Sequence, residues 1–449
     1  MNQGRRRIIK AGLAATAATL AGGASQVTAA RQRQPGAGTP LRILILGGTG
    51  FIGPHMVREA LRRGHEVSLF NRGKTNDDLF PDLETFIGDR DNQLDALKGH
   101  EWDAVIDNSG YVPRHVADSA RLLADAASHY LFISSISAYA TFAVANHEDS
   151  PLATMPDESV EEVTGATYGP MKALCEKMAA SEFGEDRLTV LRPTYICGPG
   201  DRTDRYTYWP VRTMAGGKML WPGSPTDPIQ IIDVRDLAIF SIDCVEQRIA
   251  GIYNTVTPPG SFTMGDLMED SVAVTGADMT PVWVSASFLG EHGALESIPI
   301  WSSPDGEESK AALVSGERAF ARGLKNRPTR ETARDTITWW KTLPPERTAD
   351  LQAGLSGSRR PSCWPRPDFA KAVGCPRCGL LQPRIPRFMR RPDGAAVGAR
   401  IAGDRLVAAM RAPAAGRPGS TAQSCIQTPR SRHLPVMRRA DSARFRSKV

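Results

Sequence analysis

Tyr168 and Lys172 stand four residues apart in Tyr168-Gly169-Pro170-Met171-Lys172. On a helix, that spacing puts both side chains on one face. An ammonium beside a phenol favours the phenolate and draws its pKa down from about 10 toward neutrality. Such a phenol can act as a general acid or base. Ser135, in Ser134-Ser135-Ile136-Ser137-Ala138-Tyr139, offers a hydroxyl to hold the oxygen whose proton is exchanged. A core tyrosine and a surface lysine on a fold kept only for binding would show the same spacing. The surrounding elements therefore carry the decision.

Residues 41–46 (LRILIL) form a nearly continuous apolar run, as expected of a strand buried on both faces of a parallel sheet. The run leads straight into Gly47-Gly48-Thr49-Gly50-Phe51-Ile52-Gly53, then into a helix expected over 54–63 and ended by Gly64. In this loop Gly47 would permit the tight turn, Gly50 would let the backbone approach a pyrophosphate, and Gly53 would let the helix pack on the strand. Thr49, Phe51 and Ile52 complete the cradle, and the helix N-terminus offers unpaired N–H groups and partial positive charge. With a second strand at 66–70 following, the context specifies a dinucleotide site. The end of that second strand distinguishes NAD from NADP. A carboxylate there suits the free ribose hydroxyl, and a cation suits the 2′-phosphate. Asn71-Arg72-Gly73-Lys74 holds no acid, which favours NADP over NAD.

Strand and helix patterns continue to alternate. Strands are expected at 84–87, 104–107 and 130–134, with a helix over 113–128. Asp89 and Arg90 fall where a turn would meet the adenine, and Asn108 follows the fourth strand. Ser135 comes at the carboxyl end of the fifth, where open α/β sheets bind ligands. Tyr168–Lys172 is expected to open a helix running to about Phe183, with Pro170 in its first turn, where a missing N–H costs nothing. The expected fold class is α/β, a doubly wound parallel sheet of Rossmann type over 41–200. A smaller C-terminal substrate lobe spans 201–345, with some elements returning to the sheet.

At these residues the chain resembles the extended short-chain dehydrogenase/reductase superfamily, in particular its NAD-dependent epimerase/dehydratase group. The likeness rests on the glycine loop, on Tyr168-x-x-x-Lys172, and on Ser135 four residues before Tyr139. It extends through Leu191-Arg192-Pro193-Thr194-Tyr195-Ile196-Cys197-Gly198-Pro199-Gly200 and Ile232-Asp233-Val234-Arg235-Asp236-Leu237, and covers about residues 41–345. It implies a catalytic triad of Ser135, Tyr168 and Lys172, with Lys172 also bonding the nicotinamide ribose and Arg192 and Tyr195 beside the nicotinamide ring. It implies an NAD(P)-dependent enzyme working on a hydroxyl or keto group of a sugar-like or other small substrate, and it admits a homodimer. Two features depart from the common pattern. Asp107-Asn108-Ser109-Gly110-Tyr111 lacks the His-x-Ala-Ala turn common in the nucleotide-sugar enzymes, and the Asn71-Arg72 pair is one that recurs in atypical branches, some of which are non-catalytic sensors or RNA-binding modules.

Charge is unevenly distributed. The whole chain has a formal net charge of +6, but residues 356–449 hold 20 basic and 4 acidic residues and residues 1–40 hold 6 basic and none acidic. Residues 41–355 are left with 29 basic and 45 acidic residues, so the body is acidic and no nucleic-acid partner is expected. Seven cysteines show no framework spacing, and Cys375-Pro-Arg-Cys378 is half a zinc site without a second pair, so no metal is expected. Residues 1–30 resemble a twin-arginine signal peptide. Arg5-Arg6-Arg7-Ile8-Ile9-Lys10 precedes an apolar run and the small residues Val27-Thr28-Ala29, which implies export to the periplasm or another extracytoplasmic space. Residues 31–40 read as a linker. No later stretch reaches the roughly 18 apolar residues that span a bilayer. Beyond about Leu355 glutamate is absent and arginine and proline dominate, the composition of a disordered tail or of a chain read out of frame after Gly354.

Overall fold

The computed structural model describes residues 39–355. The signal-like segment 1–30, most of the linker and the basic tail 356–449 lie outside the described residues. Eleven strands are described: β1 (Arg42–Leu46), β2 (Glu66–Asn71), β3 (Thr85–Ile87), β4 (Ala104–Asp107), β5 (Tyr130–Ile133), β6 (Leu188–Pro193), β7 (Tyr195–Cys197), β8 (Gly217–Pro222), β9 (Ile231–Asp233), β10 (Gly251–Thr255) and β11 (Met279–Val284). Seven of them build one parallel sheet in the order β10-β6-β5-β4-β1-β2-β3. The chain leaves β1 toward β2 and β3, then returns to place β4 on the other side of β1. That reversal opens a crevice at the carboxyl ends of β1 and β4.

β1 shows why the run of apolar residues was needed. Ile43 and Ile45 face one layer, where they meet Met56, Val57 and Ala60 of α1 (Gly53–Arg62), together with Leu237 and Phe240 further along the chain. Leu44 and Leu46 face the other, against Val116, Ala120 and Leu123 of α2 (Pro113–Leu123) and Cys175, Ala179 and Phe183 of α3 (Gly165–Phe183). Alternate side chains of a strand point to opposite faces, so helices on both sides require apolar residues throughout. α2 ends at Leu123, five residues short of the expected boundary, and turns in which Ala126 N and Ala127 N both donate to Leu123 O carry the chain on to Ala127.

A second apolar core lies under the later part of the chain. α4 (Tyr208–Met214), α5 (Val234–Gln247) and α6 (Met264–Thr275) follow in sequence. Tyr206, Tyr208, Trp209, Trp221 and Phe262 are buried together, with Trp209 and Trp221 stacked at 4.6 Å. These aromatics pack on one another, and none of them lines the cleft along the carboxyl edge of the sheet. The start of α6 is capped reciprocally, Thr263 Oγ1 accepting from Asp266 N while Asp266 accepts from Thr263 N, and Gly276 in the left-handed conformation ends it. β10 falls between α5 and α6 in sequence yet pairs with β6, so the chain returns to the main sheet after building part of the second core and before completing it.

Buried between β5 and β6, the His129 ring bonds the Thr189 hydroxyl at 2.8 Å. Burial pushes its pKa down to about 4, and the cations of Arg248 and Arg187 act the same way. The folded value lies below the free one, so the neutral ring contributes stability that is complete above about pH 6.5 and is lost as the pH falls through 6.5 toward 4. The size of that contribution is about 3 kcal/mol. His129→Gln keeps a donor for Thr189 and cannot titrate. Its unfolding free energy should therefore fall less between pH 7 and pH 4 than that of the wild type, as read from urea denaturation at each pH. Parallel losses in both proteins would remove this assignment.

Candidate active site

One cleft of about 1080 Å³ runs along the carboxyl edge of the sheet. Its lining includes Gly47, Thr49, Gly50, Phe51 and Ile52 of the glycine loop, then Asn71, Arg72, Asp89, Arg90 and Asn108, and further along Ser135, Tyr168, Lys172 and Tyr195. Residues far apart in the chain are thus brought to a single space.

The glycine loop is tightly specified. Gly47 has φ +90°, and a Cβ on Gly53 would lie 2.6 Å from Gly47 O, so Gly53 lets α1 start directly against the turn. A Cβ on Gly50 would meet nothing within 4 Å, which leaves the backbone bare toward the cleft. No side chain caps α1; Pro54 has no N–H and those of His55 and Met56 turn back to Ile52 O, so the loop N–H groups up to Gly53 are the ones available to an anionic ligand. Asn76 donates to Thr49 O at 3.0 Å, and Asn108, with its amide nitrogen turned to the loop, donates to Gly47 O at 2.9 Å. At the end of β2 the Asn71 side chain accepts from Gly73 N at 2.8 Å, while Arg72 and Lys74 are exposed on the cleft. Arg90 is held from below, bidentate to the buried Asp107 and donating to Ser119 Oγ.

At the other end α3 presents Tyr168 and Lys172. The helix begins at Gly165, a turn earlier than the proline suggests, because Thr164 and Thr167 form a reciprocal cap at 3.2 and 2.8 Å. Pro170 consequently sits inside the helix. Gly169 is a functional position that spacing alone does not reveal. A Cβ there would lie 2.2 Å from Ser137 O, so its absence lets α3 lie against the Ile136–Ala138 turn that follows Ser135. Ser135 Oγ accepts from Ser137 N at 3.1 Å, which fixes the hydroxyl toward the cleft.

The electrostatics differ from the expectation. Lys172 Nζ is almost wholly buried and donates to Gly110 O at 2.7 Å and Ile133 O at 2.8 Å, lying between the rings of Tyr111 and Phe132 at 4.8 Å from each. Burial lowers its pKa to about 8. The Tyr168 phenol is raised above its ordinary value, chiefly by burial, and the facing Ser135 side chain only partly offsets this. With the ammonium bound to two carbonyls, desolvation wins over any lysine field on the phenol. The Tyr111 ring lies 6.4 Å from that of Tyr168 and forms an aromatic wall that sequence reasoning did not single out.

Arg192 is not in the cleft. Its guanidinium is buried, bidentate to Glu176 at 2.6 and 2.9 Å, donates to Glu148 O at 3.0 Å and lies over the Tyr139 ring. Glu176 also accepts from Ser134 Oγ at 2.5 Å. Arg192 is therefore a strut behind the strand ends, because the carboxylate one turn beyond Lys172 claims it. Tyr195 does line the cleft, its ring covered by the Arg205 guanidinium at 5.0 Å. Among the described residues no group of His, Cys, Asp and Glu could hold a metal ion, and no helix is long and apolar enough to cross a membrane.

Residues 43–254 match the NAD dependent epimerase/dehydratase family. Over 213 residues the chain is 28% identical to the chloroplast stem-loop binding protein of 41 kDa b of Arabidopsis thaliana, covering 44% of this chain and 53% of that one. Over 183 residues it is 27% identical to 2-alkyl-3-oxoalkanoate reductase of Stenotrophomonas maltophilia, covering 36% and 53%. The chain thus spans about half the length of these relatives. The enzyme WbmG of Bordetella bronchiseptica, solved in complex with NAD, shares the fold with a TM-score of 0.52 at 17% identity, over 71% of this chain and 99% of that one.

Two substitutions separate the roles of the site's glycines. Gly169→Ala must push α3 off the Ser135 turn and should cost about 1–3 kcal/mol of stability. Gly50→Ala adds a methyl where there is open space, so it should leave the melting temperature unchanged while weakening dinucleotide binding. A Gly50→Ala protein that binds dinucleotide like the wild type would show that the loop is not the cradle.

Proposed function

We propose that this protein is an NAD(P)-dependent oxidoreductase of the epimerase/dehydratase type, acting on a hydroxyl or keto group of a sugar-like or other small substrate. The observation that carries this reading is that Ser135, Tyr168 and Lys172 share one cleft with the glycine loop. The named activity of the Stenotrophomonas relative, reduction of a 3-oxo compound, agrees with it. NADP is the favoured dinucleotide, because Arg72 and Lys74 are exposed on the cleft where the 2′-phosphate would lie and no carboxylate ends β2.

A bound nicotinamide would supply the hydride donor or acceptor; the residues of the chain do the rest. The cradle for it fits: an uncapped helix start, a bare Gly50 backbone, and on Lys172 a third N–H left over from the two carbonyls. Tyr168 keeps its proton at neutral pH, because burial raises the phenol. A protonated phenol beside Ser135 is the state that donates to a carbonyl oxygen, so the resting site is set for reduction of a keto group. Lys172 holds the wall in place, and its ammonium is charged below about pH 8.

A second reading is a non-catalytic sensor or RNA-binding module on the same fold, and of these the binding module is favoured by the Arabidopsis relative's name, a stem-loop binding protein. Tyr168→Phe discriminates the two. Under the enzyme reading it should abolish nearly all turnover, roughly 100-fold or more, in an assay of NADPH consumption against a panel of keto compounds. Dinucleotide affinity in fluorescence titrations should stay the same, with NADPH binding more tightly than NADH. Unchanged turnover in the variant sinks the mechanism, and tighter NADH binding sinks the cofactor preference. Export by the twin-arginine route belongs to the same proposal and rests on the segment around Arg5 and Arg6. The expected product is a mature chain beginning near residue 30 in the extracytoplasmic fraction. An uncleaved cytoplasmic chain would refute it.

A further inference from the structure

The cleft is also lined by Tyr195, Arg202, Thr203, Arg205, Ser302 and Glu308, on a side where Gly200 lies against Phe51 and the Arg205 charge reaches the Tyr168 phenol. Building on the enzyme reading above, we propose that the substrate carries an anionic group, a carboxylate or a phosphate, and that Arg202 and Arg205 receive it. Both side chains are exposed on the cleft, and among the described residues neither forms an ion pair. Some arginines away from the cleft are engaged instead by carboxylates. Arg63, Arg114, Arg121 and Arg327 each pair with one or more carboxylates at 2.6–2.9 Å. In an acidic body a substrate anion is repelled at long range unless cations wait where it docks.

The loop that carries these arginines is held in a fixed shape. Asp204 lies between them in the left-handed conformation, φ +55°, which is uncommon for a residue other than glycine and most accessible to Asn and Asp. Its carboxylate is fully buried. It accepts a bidentate pair from Arg347 at 2.5 and 3.0 Å, and Gln352 N at 2.8 Å. Asp201 turns inward as well, accepting from Thr203 N at 2.8 Å and Thr203 Oγ1 at 2.7 Å. With residues 201 and 204 anchored inside, residues 202, 203 and 205 are left facing out.

Arg205 is pre-set for an oxyanion. Its Nε donates to Thr203 Oγ1 at 3.1 Å and its plane rests on the Tyr195 ring, so both terminal nitrogens remain for a bidentate partner. Its charge also reaches the reacting end, where it acts on the Tyr168 phenol as well as on that of Tyr195. Two carboxyl groups line this end of the cleft. Asp201 is buried with its pKa raised by desolvation, and the exposed Glu308 accepts from Ser302 at 3.5 Å. Of the charged groups exposed at this end, two are guanidinium groups and one is the Glu308 carboxylate, while the Asp201 carboxyl is buried beneath the loop.

The test uses the full chain saturated with NADP⁺, which fills the cofactor end. Calorimetric titrations with malonate, with inorganic pyrophosphate and with uncharged malonamide are compared in the wild type, Arg202→Met and Arg205→Met. The expected result is that malonate or pyrophosphate binds and malonamide does not. Whichever anion binds tells whether the site takes a carboxylate or a phosphate. Arg205→Met should weaken that anion about tenfold or more, with NADP⁺ affinity and melting temperature unchanged. The proposal is overturned if neither anion binds the NADP⁺-loaded wild type, or if the bound anion is held equally well by both variants. A wild type that fails to bind NADP⁺ at all would sink the enzyme reading first, and this one with it.

Discussion

The side chain of Lys172 crosses from α3 to the carboxyl edge of the sheet, where its ammonium donates to Gly110 O after β4 and to Ile133 O at the end of β5. Three segments that form the cleft wall meet at that one charge. A buried ammonium is tolerated only when its hydrogens find acceptors, and two backbone carbonyls plus two ring faces provide them. One turn further along α3, Glu176 does the same with opposite sign, binding Arg192 on β6 and Ser134 beyond β5. The two charges pin the helix to the strand ends at successive turns, so the position of Tyr168 depends on both. Gly169 completes the fit by letting the helix backbone approach the Ser135 turn.

What was legible in the sequence was local. β1 and the glycine loop announce themselves because apolar residues facing both layers, and glycines at the turn and the helix start, are demanded by adjacent atoms. Tyr168 and Lys172 are readable for the same reason, being neighbours on one helix face. Arg192 was misplaced because its role is fixed by Glu176 and Glu148, sixteen and forty-four residues away. A strand residue next to the expected nicotinamide position can face either side of the sheet, and only the buried carboxylate behind it decides which. The Tyr168 phenol was expected to shift the wrong way for a related reason. Spacing reports how near the lysine is, but not how much water the fold removes from the phenol or which carbonyls compete for the ammonium. Pro170 misled about the helix start, since the threonine cap at Thr164 outweighs the one hydrogen bond that the proline removes.

The second core explains why so many aromatics sit in this part of the chain. Trp209, Trp221, Tyr206 and Tyr208 bury large apolar areas around a short strand pair, β8 with β11, that has little sheet of its own to rely on. Their rings pack inward, so the cleft-facing chemistry of this half falls to the loop between β7 and α4. Asp204 makes that division work. Its buried carboxylate ties the loop to Arg347 and Gln352, and Leu351 and Leu355 pack on the same core. A fully buried acid needs such a partner, because removing it would strand the charge in an apolar setting. The segment 344–355 therefore serves as part of the lobe's foundation and not as a loose end. The shape of the cleft's wall at Arg202 and Arg205 follows from a salt bridge on its hidden side, just as the wall at Tyr168 follows from Lys172.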